Sequence, residues 1–236
     1  MRVTRTRGGV RLSQHGVVVC EMRTAPGPTH SVFDVLAALL AVLGPGGREG
    51  RRGVLGFSGG GLMAPLRRLG VAGPVEAVDL DRAAYRLFRR HCARWAEPVR
   101  WEEADALAWL RRQGGGFDVL LEDLSVPAGD DVHKPAVSWR GLPEAMRRRL
   151  APGGVAIFNL LPPGGPWLQR RDRLAGLFGR ACLVRFAEYE NQVLVAGDML
   201  PPVRELGGRL RAALRRLGSR QAGRLRLETL GGGARG

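Results

Sequence analysis

Residues 54–79 read VLGFSGGGLMAPLRRLGVAGPVEAVD, and this stretch decides the fold. The apolar run Val54–Phe57 leads into a glycine-rich turn, and residues 61–69 follow with the apolar spacing of a helix. A second apolar run, Val75–Asp79, then ends in an acid. Short apolar runs on either side of a helix are typical of buried parallel strands joined by a crossover. The stretch therefore predicts a strand–helix–strand unit.

The turn after the first of these strands has the composition of a ligand-binding loop. Glycine lets a backbone come close to a ligand, and a loop that opens a helix leaves backbone N–H groups free to meet it. A glycine-rich loop is weak support by itself, because the chain contains 35 glycines. The candidate cofactor-binding residues in this loop are Gly56, Ser58, Gly59, Gly60 and Gly61.

Asp79 adds to this signal, because it ends the second strand about twenty residues after the loop. A carboxylate at this point can accept hydrogen bonds from both hydroxyls of a ribose. The neighbouring Leu80 is assigned to the same site. The other interpretation of Asp79 is an N-cap of the next helix, but Asp81 is the better cap candidate.

The alternation of strands and helices continues through the middle of the chain. Three further strands are predicted at Val99–Glu102, Phe117–Asp123 and Gly154–Leu161, and helices at 82–95, 105–112, 138–150 and 167–178. Two consecutive strands then follow at 182–188 and 192–197, and such a short connection requires them to be antiparallel. The fold class predicted is α/β: a doubly wound, mostly parallel, Rossmann-like sheet with an antiparallel final hairpin.

The two ends extend this domain. Residues 10–22 predict a β-hairpin with its turn at His15-Gly16, and Ser31–Leu43 predicts a helix. An arginine-rich helix is expected to about Leu217, with a strand-like or disordered end after it. We expect an N-terminal extension over 1–30, a Rossmann-like domain over 31–200, and a C-terminal helix and tail over 201–236.

The charge is strongly positive, +15 overall, and Lys134 is the only lysine. Such a field favours anionic substrates, nucleic acid or acidic partners, although a GC-rich coding sequence would give the same bias. A nucleic-acid partner is compatible with this charge but not favoured, because no aromatic residues interleave with the basic ones.

The cysteines and histidines are scattered, so neither a disulfide framework nor a metal site is expected. The apolar run Val32–Leu43 is too short to cross a bilayer, and the basic N-terminus lacks the apolar segment of a secretory signal. These features predict a cytoplasmic protein with no membrane partner.

Two further groups of residues follow predicted strands. Asp105 and Ala106 come after the third strand, where an acid can pair with the amino group of adenine, and Asp123 ends the fourth. The tight turn Leu150–Gly154 leads into the fifth. A dinucleotide site is an alternative, because Gly59-x-Gly61-x-x-Ala64 matches the dinucleotide fingerprint.

With these residues in place, the chain resembles the spermidine synthase-like branch of the class I S-adenosylmethionine (AdoMet)-dependent transferases over roughly residues 10–200. The GGGDGG loop of that family corresponds to Gly56–Gly61, its D-S-x-D-P segment to Asp123–Pro127 (DLSVP), and its Tyr-His-Glu to Thr29-His30-Ser31. The resemblance implies AdoMet as the cofactor. It also implies pairing into a homodimer, which is common in this family.

The departures from the family fall where polyamine chemistry needs acids. The loop aspartate is replaced by Gly59, the second aspartate of D-S-x-D-P by Val126, and the Tyr and Glu by Thr29 and Ser31. A polycationic amine needs carboxylates to bind it and a base to take its proton. Only Asp123 remains at a family catalytic position.

Methyl transfer asks less of the protein, because the sulfonium supplies the reactive centre and the enzyme mainly aligns the acceptor. We therefore favour a methyltransferase acting on a small, non-polycationic acceptor, with anionic molecules among the candidates. The candidate catalytic residues are Asp123 and His30, the latter either a base at the site mouth or a structural histidine. Aminopropyl transfer, a non-catalytic AdoMet-binding role and NAD(P) binding are the alternatives.

Overall fold

The computed structural model describes residues 2–14, 17–45, 50–128, 131–161 and 166–231. The strands are β1 (Arg2–Thr6), β2 (Gly9–Gln14), β3 (Val17–Arg23), β4 (Arg52–Leu55), β5 (Val75–Asp79), β6 (Val99–Glu103), β7 (Phe117–Glu122), β8 (Val126–Ala128), β9 (Asp131–His133), β10 (Leu150–Leu160), β11 (Arg180–Phe186), β12 (Gln192–Gly197) and β13 (Leu225–Leu230). The helices are α1 (Val32–Leu43), α2 (Met63–Arg68), α3 (Arg82–Ala96), α4 (Ala106–Arg112), α5 (Leu142–Arg149), α6 (Trp167–Gly176) and α7 (Val203–Leu217).

Eight strands form the main sheet in the order β13-β11-β12-β10-β7-β4-β5-β6. The strands from β10 to β6 run parallel, whereas β10, β12, β11 and β13 pair antiparallel in turn. The predicted α/β class, mostly parallel with an antiparallel final hairpin, is confirmed. No helix in the described ranges is both long enough and apolar enough to cross a membrane.

Helices cover both faces of this sheet because its central strands are apolar on both sides. Side chains alternate along β7: Val119 and Leu121 belong to the core beneath α1, α2, α3 and α7, and Leu120 belongs to the core beneath α4, α5 and α6. The carboxyl ends of β4, β5, β6 and β7 meet at one edge, which is where the residues singled out in the sequence come together.

The N-terminal extension is a three-stranded antiparallel sheet, β1-β2-β3. The predicted hairpin is present as β2 and β3, and its turn at His15-Gly16 lies outside the described residues. Strand β1 was not predicted, because Arg2–Thr6 has Val3 as its one apolar residue among arginines and threonines and is mostly exposed. The apolar face of β2 and β3, which includes Leu12, Cys20 and Met22, joins the core on the α3 side.

The C-terminal segment is more regular than the sequence suggests. Helix α7 packs against α1, and β13 pairs with β11 at the edge of the main sheet. Helix α5 starts at Leu142 rather than 138, because Gly141 has a positive φ of 86° and interrupts the chain there. The predicted division into three regions stays a prediction.

A matched pair of glycines tests how closely the strand ends pack. Gly56 and Gly70 have nearly the same φ, +89° and +88°, but a Cβ on Gly56 would lie 2.7 Å from the carbonyl oxygen of Asp123, whereas nothing lies within 4 Å of one on Gly70. Gly70→Ala should lower the free energy of unfolding by about 1–2 kcal/mol through its backbone conformation alone. Gly56→Ala should lose a further ~1–3 kcal/mol through overpacking. If urea unfolding shows that the two variants lose the same free energy of unfolding, the close approach of Gly56 to the end of β7 is contradicted.

Candidate functional site

A cavity of about 720 Å³ lies at the carboxyl edge of the main sheet. This volume suits a cofactor-sized ligand. The strand ends and loops that line it contribute Gly56, Phe57, Ser58, Gly61, Leu62, Val78, Asp79, Leu80, Asp81, Ala104, Asp105, Ala106, Asp123, Leu124, Ser125 and Asn159. The remaining walls come from the N-terminal sheet, the start of α1, the β8–β9 hairpin and the β11–β12 turn.

The glycine-rich loop forms the floor of the cavity. Gly56, Ser58 and Gly61 line it, whereas Gly59 and Gly60 are not among the lining residues. A Cβ on Gly59 would lie 3.0 Å from Cys20 Sγ in the N-terminal sheet, and one on Gly60 would lie 2.7 Å from the Phe88 ring. These two glycines therefore give space to neighbouring elements rather than contact a ligand.

Two amides of this loop are already engaged within the protein, so they are not free as the sequence-based expectation has it. Ser58 N donates to Asp79 Oδ2 at 2.6 Å, and Gly60 N donates to the carbonyl oxygen of Phe57 at 2.9 Å. These acceptors belong partly to other strands, so the local sequence gives no sign of them.

Asp79 lies at the end of β5 and lines the cavity, as do Leu80 and Asp81. One Asp79 carboxylate oxygen accepts the Ser58 amide and the other accepts the Asp81 amide at 2.9 Å. Asp81 is the N-cap of α3, as expected, and accepts from Ala84 N. Each Asp79 oxygen has two lone pairs, so the carboxylate can fix the loop and still accept ligand hydroxyls.

Asp105 and Ala106 line the cavity beyond β6. Asp105 is the N-cap of α4, and its Oδ1 accepts the Ala108 amide at 2.8 Å. Within the described residues its other carboxylate oxygen makes no hydrogen bond. Leu80, which is 71% exposed, lies on the neighbouring strand end and offers an apolar surface to the same region.

Asp123 lies at the end of β7, near the middle of the sheet edge. Asn159 Nδ2 donates to its Oδ1 at 2.7 Å, and Asn191 Nδ2 in turn lies 3.3 Å from Asn159 Oδ1. Burial raises the pKa of the Asp123 carboxyl to about 6, and the hydrogen bond from Asn159 acts in the opposite direction. The carboxylate is therefore held in place and titrates close to neutral pH.

A buried ion pair next to Asp123 was missed from the sequence. The fully buried Glu122 carboxylate lies 2.7 Å from Lys134 Nζ and also accepts the Ser138 hydroxyl at 2.8 Å. Lys134 directly follows the β8–β9 hairpin. The pair ties this segment to the strand that carries Asp123. Twelve residues separate the partners, so only the fold brings them together.

His30 does not line the cavity, so its predicted place at the site mouth is not observed. Its carbonyl oxygen accepts the Tyr189 hydroxyl at 3.0 Å and Gln221 Nε2 at 3.1 Å. Its backbone amide donates to Asp34 Oδ2 at 2.9 Å, in a left-handed turn with φ of 60°. Through its backbone, His30 links the start of α1 to the β11–β12 turn and to the C-terminal segment.

The N-terminal sheet adds three lining residues that the sequence did not single out, Val18, Cys20 and Glu21. Burial raises the pKa of the Cys20 thiol to about 12, so the thiol is neutral. Glu21 lies 3.4 Å from Arg11 on the adjacent strand. The hairpin periodicity places these residues on a strand, but it does not show that the strand covers a site.

No group of three or more His, Cys, Asp or Glu side chains that could hold a metal ion occurs in the part of the chain that the structure describes. No protein-family model matches the chain. No curated protein matches it either.

Solved structures match over most of the chain. A probable spermidine synthase from Corynebacterium glutamicum ATCC 13032 has a TM-score of 0.74 and 16% identity, covering 96% of this chain and 86% of its own. A spermidine synthase in complex with the transition-state analogue AdoDATO has a TM-score of 0.64 and 16% identity, with coverages of 87% and 75%. Human methyltransferase-like protein 13 in complex with SAH has a TM-score of 0.58 and 20% identity, with coverages of 80% and 92%.

At these identities the likeness shows the fold. The fold is the one shared by spermidine synthases and class I methyltransferases, as the sequence motifs predict. The human methyltransferase-like structure and the two spermidine synthase structures match the same chain, so the fold alone does not distinguish the two reactions.

The titration of Asp123 tests the electrostatics of the site. Its carboxyl carbon should titrate with a pKa of about 6, against an ordinary 3.8, and Asn159→Ala should raise it further because the hydrogen bond favours the charged form. Asn191→Ala, one step removed, should change it less. Because the folded pKa is raised, the contribution of Asp123 to stability is present below pH 3.8 and lost as the pH rises through about 6. An NMR titration that returns the ordinary pKa would contradict this environment.

Proposed function

We propose that this protein is an AdoMet-dependent transferase, and specifically a methyltransferase. The observation that carries the proposal is one continuous cavity that runs from Asp105 and Asp79 to Asp123 along the carboxyl edge of the sheet. In open α/β sheets this edge is where ligands bind. Structures of the same fold bind SAH or AdoDATO, both related to AdoMet. A non-catalytic role is disfavoured, because the cavity is open beside Asp123.

The residues present fit AdoMet. Asp79 offers carboxylate oxygens to ribose hydroxyls, and Asp105 offers one to the adenine amino group beside the apolar surface of Leu80. The carboxylates of the lining also suit the positive sulfonium. When bound, AdoMet supplies an electrophilic methyl carbon.

The role proposed for Asp123 follows from its position and its pKa. With a pKa of about 6, the carboxyl is largely ionised at neutral pH and accepts a hydrogen bond rather than donating one. It can orient an acceptor N–H or O–H in the cavity, or take its proton. Asn159 keeps the carboxylate in one orientation.

Methyl transfer is favoured over aminopropyl transfer because of Gly59. The resembled family has an aspartate at this position, which suits an amine. Here a Cβ would point towards Cys20 Sγ and Leu12 Cδ1, each 3.0 Å away, and not into the cavity. The loop therefore presents no carboxylate to the terminal ammonium of decarboxylated AdoMet.

Aminopropyl transfer is the second candidate, and Glu21 is the observation that favours it. This carboxylate lines the cavity together with Asp123, and two carboxylates near an acceptor suit an amine. The Ser58 and Gly60 amides are already engaged, which removes one reason to expect a site for the α-carboxylate of AdoMet.

Asp79→Asn tests the ribose assignment. The amide keeps the shape of the side chain but removes its charge, so we expect AdoMet affinity to fall about tenfold or more, in line with charge-assisted hydrogen bonds worth roughly 1.5–3 kcal/mol. Glu76→Gln, on the same strand but outside the lining, is the control. Calorimetry that finds unchanged affinity for Asp79→Asn in a folded protein overturns the assignment.

Paired titrations with AdoMet and decarboxylated AdoMet, in one buffer at one salt concentration, test the reaction type. We expect tighter binding of AdoMet, and we expect S-adenosylhomocysteine as the co-product when acceptors are supplied. Methylthioadenosine, formed by loss of the aminopropyl group, would support the second candidate instead. Binding of AdoMet with neither co-product across an acceptor panel would support a non-catalytic role.

A further inference from the structure

The half of the cavity beyond Asp123 is lined by residues of a different chemical type from those in the half around Asp79. We call it the acceptor half and define it by Leu161, Tyr189 and Asn191, together with Glu21, whose charge acts on Tyr189. In the sheet order, β10 and β12 lie on the side of β7 away from β4, β5 and β6. The residues at these strand ends are therefore separated from the proposed adenosine site by Asp123.

Leu161 gives this half an apolar wall, and Val18 and Phe33 add apolar surface where the N-terminal sheet and α1 close the cavity. The Tyr189 hydroxyl donates to the His30 carbonyl, and Asn191 Nδ2 donates to Asn159. The Tyr189 oxygen and Asn191 Oδ1 can still accept a hydrogen bond. A molecule in this half therefore meets apolar surface and hydrogen-bond acceptors.

The charge of the lining is the opposite of the charge of the chain. The sequence contains 37 lysines and arginines and has a net charge of +15. Yet over the described ranges no lysine, arginine or histidine lines the cavity, whereas Glu21, Asp79, Asp81, Asp105 and Asp123 do. The arginines lie elsewhere, for example on the exposed face of α3.

An anionic acceptor would have to enter this half beside the Asp123 carboxylate, and the arginines next to Glu21 are already paired with it. Arg11 lies 3.4 Å and Arg23 lies 3.9 Å from Glu21, so Glu21 gives only a weak second site for a cation. A polyamine would have to place its second ammonium against apolar walls, which costs desolvation. A single polar group can reach Asp123 while the rest of the molecule stays in apolar contact.

We propose that the acceptor is a neutral or singly cationic small molecule with a mainly apolar body and one N–H or O–H that it donates to Asp123. Carboxylates, phosphates and polyamines are excluded as acceptors. This inference rests on the proposed function, because that function assigns this half of the cavity to the acceptor. It replaces the expectation of an anionic acceptor that follows from the net charge.

Matched probes of one shape and different charge test the proposal by calorimetry, with S-adenosylhomocysteine at saturation. We expect benzamide and benzylamine to bind at least tenfold more tightly than benzoate. We also expect butylamine to bind at least as tightly as putrescine, its analogue with a second ammonium. The proposal is overturned if benzoate binds as tightly as benzamide and benzylamine or more tightly. It is also overturned if putrescine binds more tightly than butylamine, or if no neutral or singly cationic probe binds.

A matched pair of variants tests whether the cavity lining sets this preference. Val18 and Val3 are both exposed valines of the N-terminal sheet, at 49% and 47%, but only Val18 lines the cavity. Val18→Lys should lower the ratio of the benzoate Kd to the benzamide Kd at least threefold, whereas Val3→Lys should leave this ratio unchanged. Equal effects of the two variants would assign the preference to the overall field and overturn the proposal.

Binding of S-adenosylhomocysteine is measured separately in the same wild-type protein. If S-adenosylhomocysteine does not bind but benzoate still binds more weakly than the other probes, the proposed function is overturned and the charge selectivity of the cavity is retained. If S-adenosylhomocysteine binds but benzoate does not bind more weakly, only this inference is overturned.

Discussion

The four glycines of the loop at residues 56–61 are the constraint on which the rest of the structure depends, because their missing side chains let neighbouring elements come close. At Gly56 the backbone passes so close to the end of β7 that a Cβ would lie 2.7 Å from the Asp123 carbonyl oxygen. At Gly59 and Gly61 it passes under Cys20 and Phe33, which belong to the N-terminal sheet and to α1. The loop therefore contributes to the cavity floor through Gly56, Phe57, Ser58 and Gly61, supports the N-terminal sheet and packs against the end of the strand that carries Asp123.

The positive and negative charges of this protein lie in different places, with arginines on the outside and carboxylates in the cavity. The two groups have different consequences. The arginines on the outside create a long-range positive field that can influence encounters with other molecules. In the proposed function the carboxylates of the cavity select what binds there, because interactions at short range in a partly dry site are screened less by solvent. The net charge of the sequence describes mainly the surface, and our proposal replaces the anionic acceptor that was inferred from it.

The sequence predicts those features that depend on local pattern. Val75–Asp79 is predicted to the residue, because an apolar run of strand length is bounded by Gly-Pro before it and by the helix cap Asp81 after it. Features that depend on partners distant in sequence are not predictable in this way. The Lys134–Glu122 pair and the acceptors of the loop amides arise only when the strands assemble. Strand β1 lacks an apolar face, so its periodicity carries no signal.

The departures from the polyamine-binding motifs are structurally connected. Gly59 faces the N-terminal sheet, so an acid at that position would displace Cys20 and Leu12 instead of reaching a ligand. Thr29 and Ser31 are used to form the start of α1, Thr29 by donating to the buried Asp34 and Ser31 by capping the helix. Neighbouring elements occupy or use these three positions, whereas Val126 lines the cavity. In the proposed transferase, the chemistry depends on Asp123 and on the asparagine that holds it.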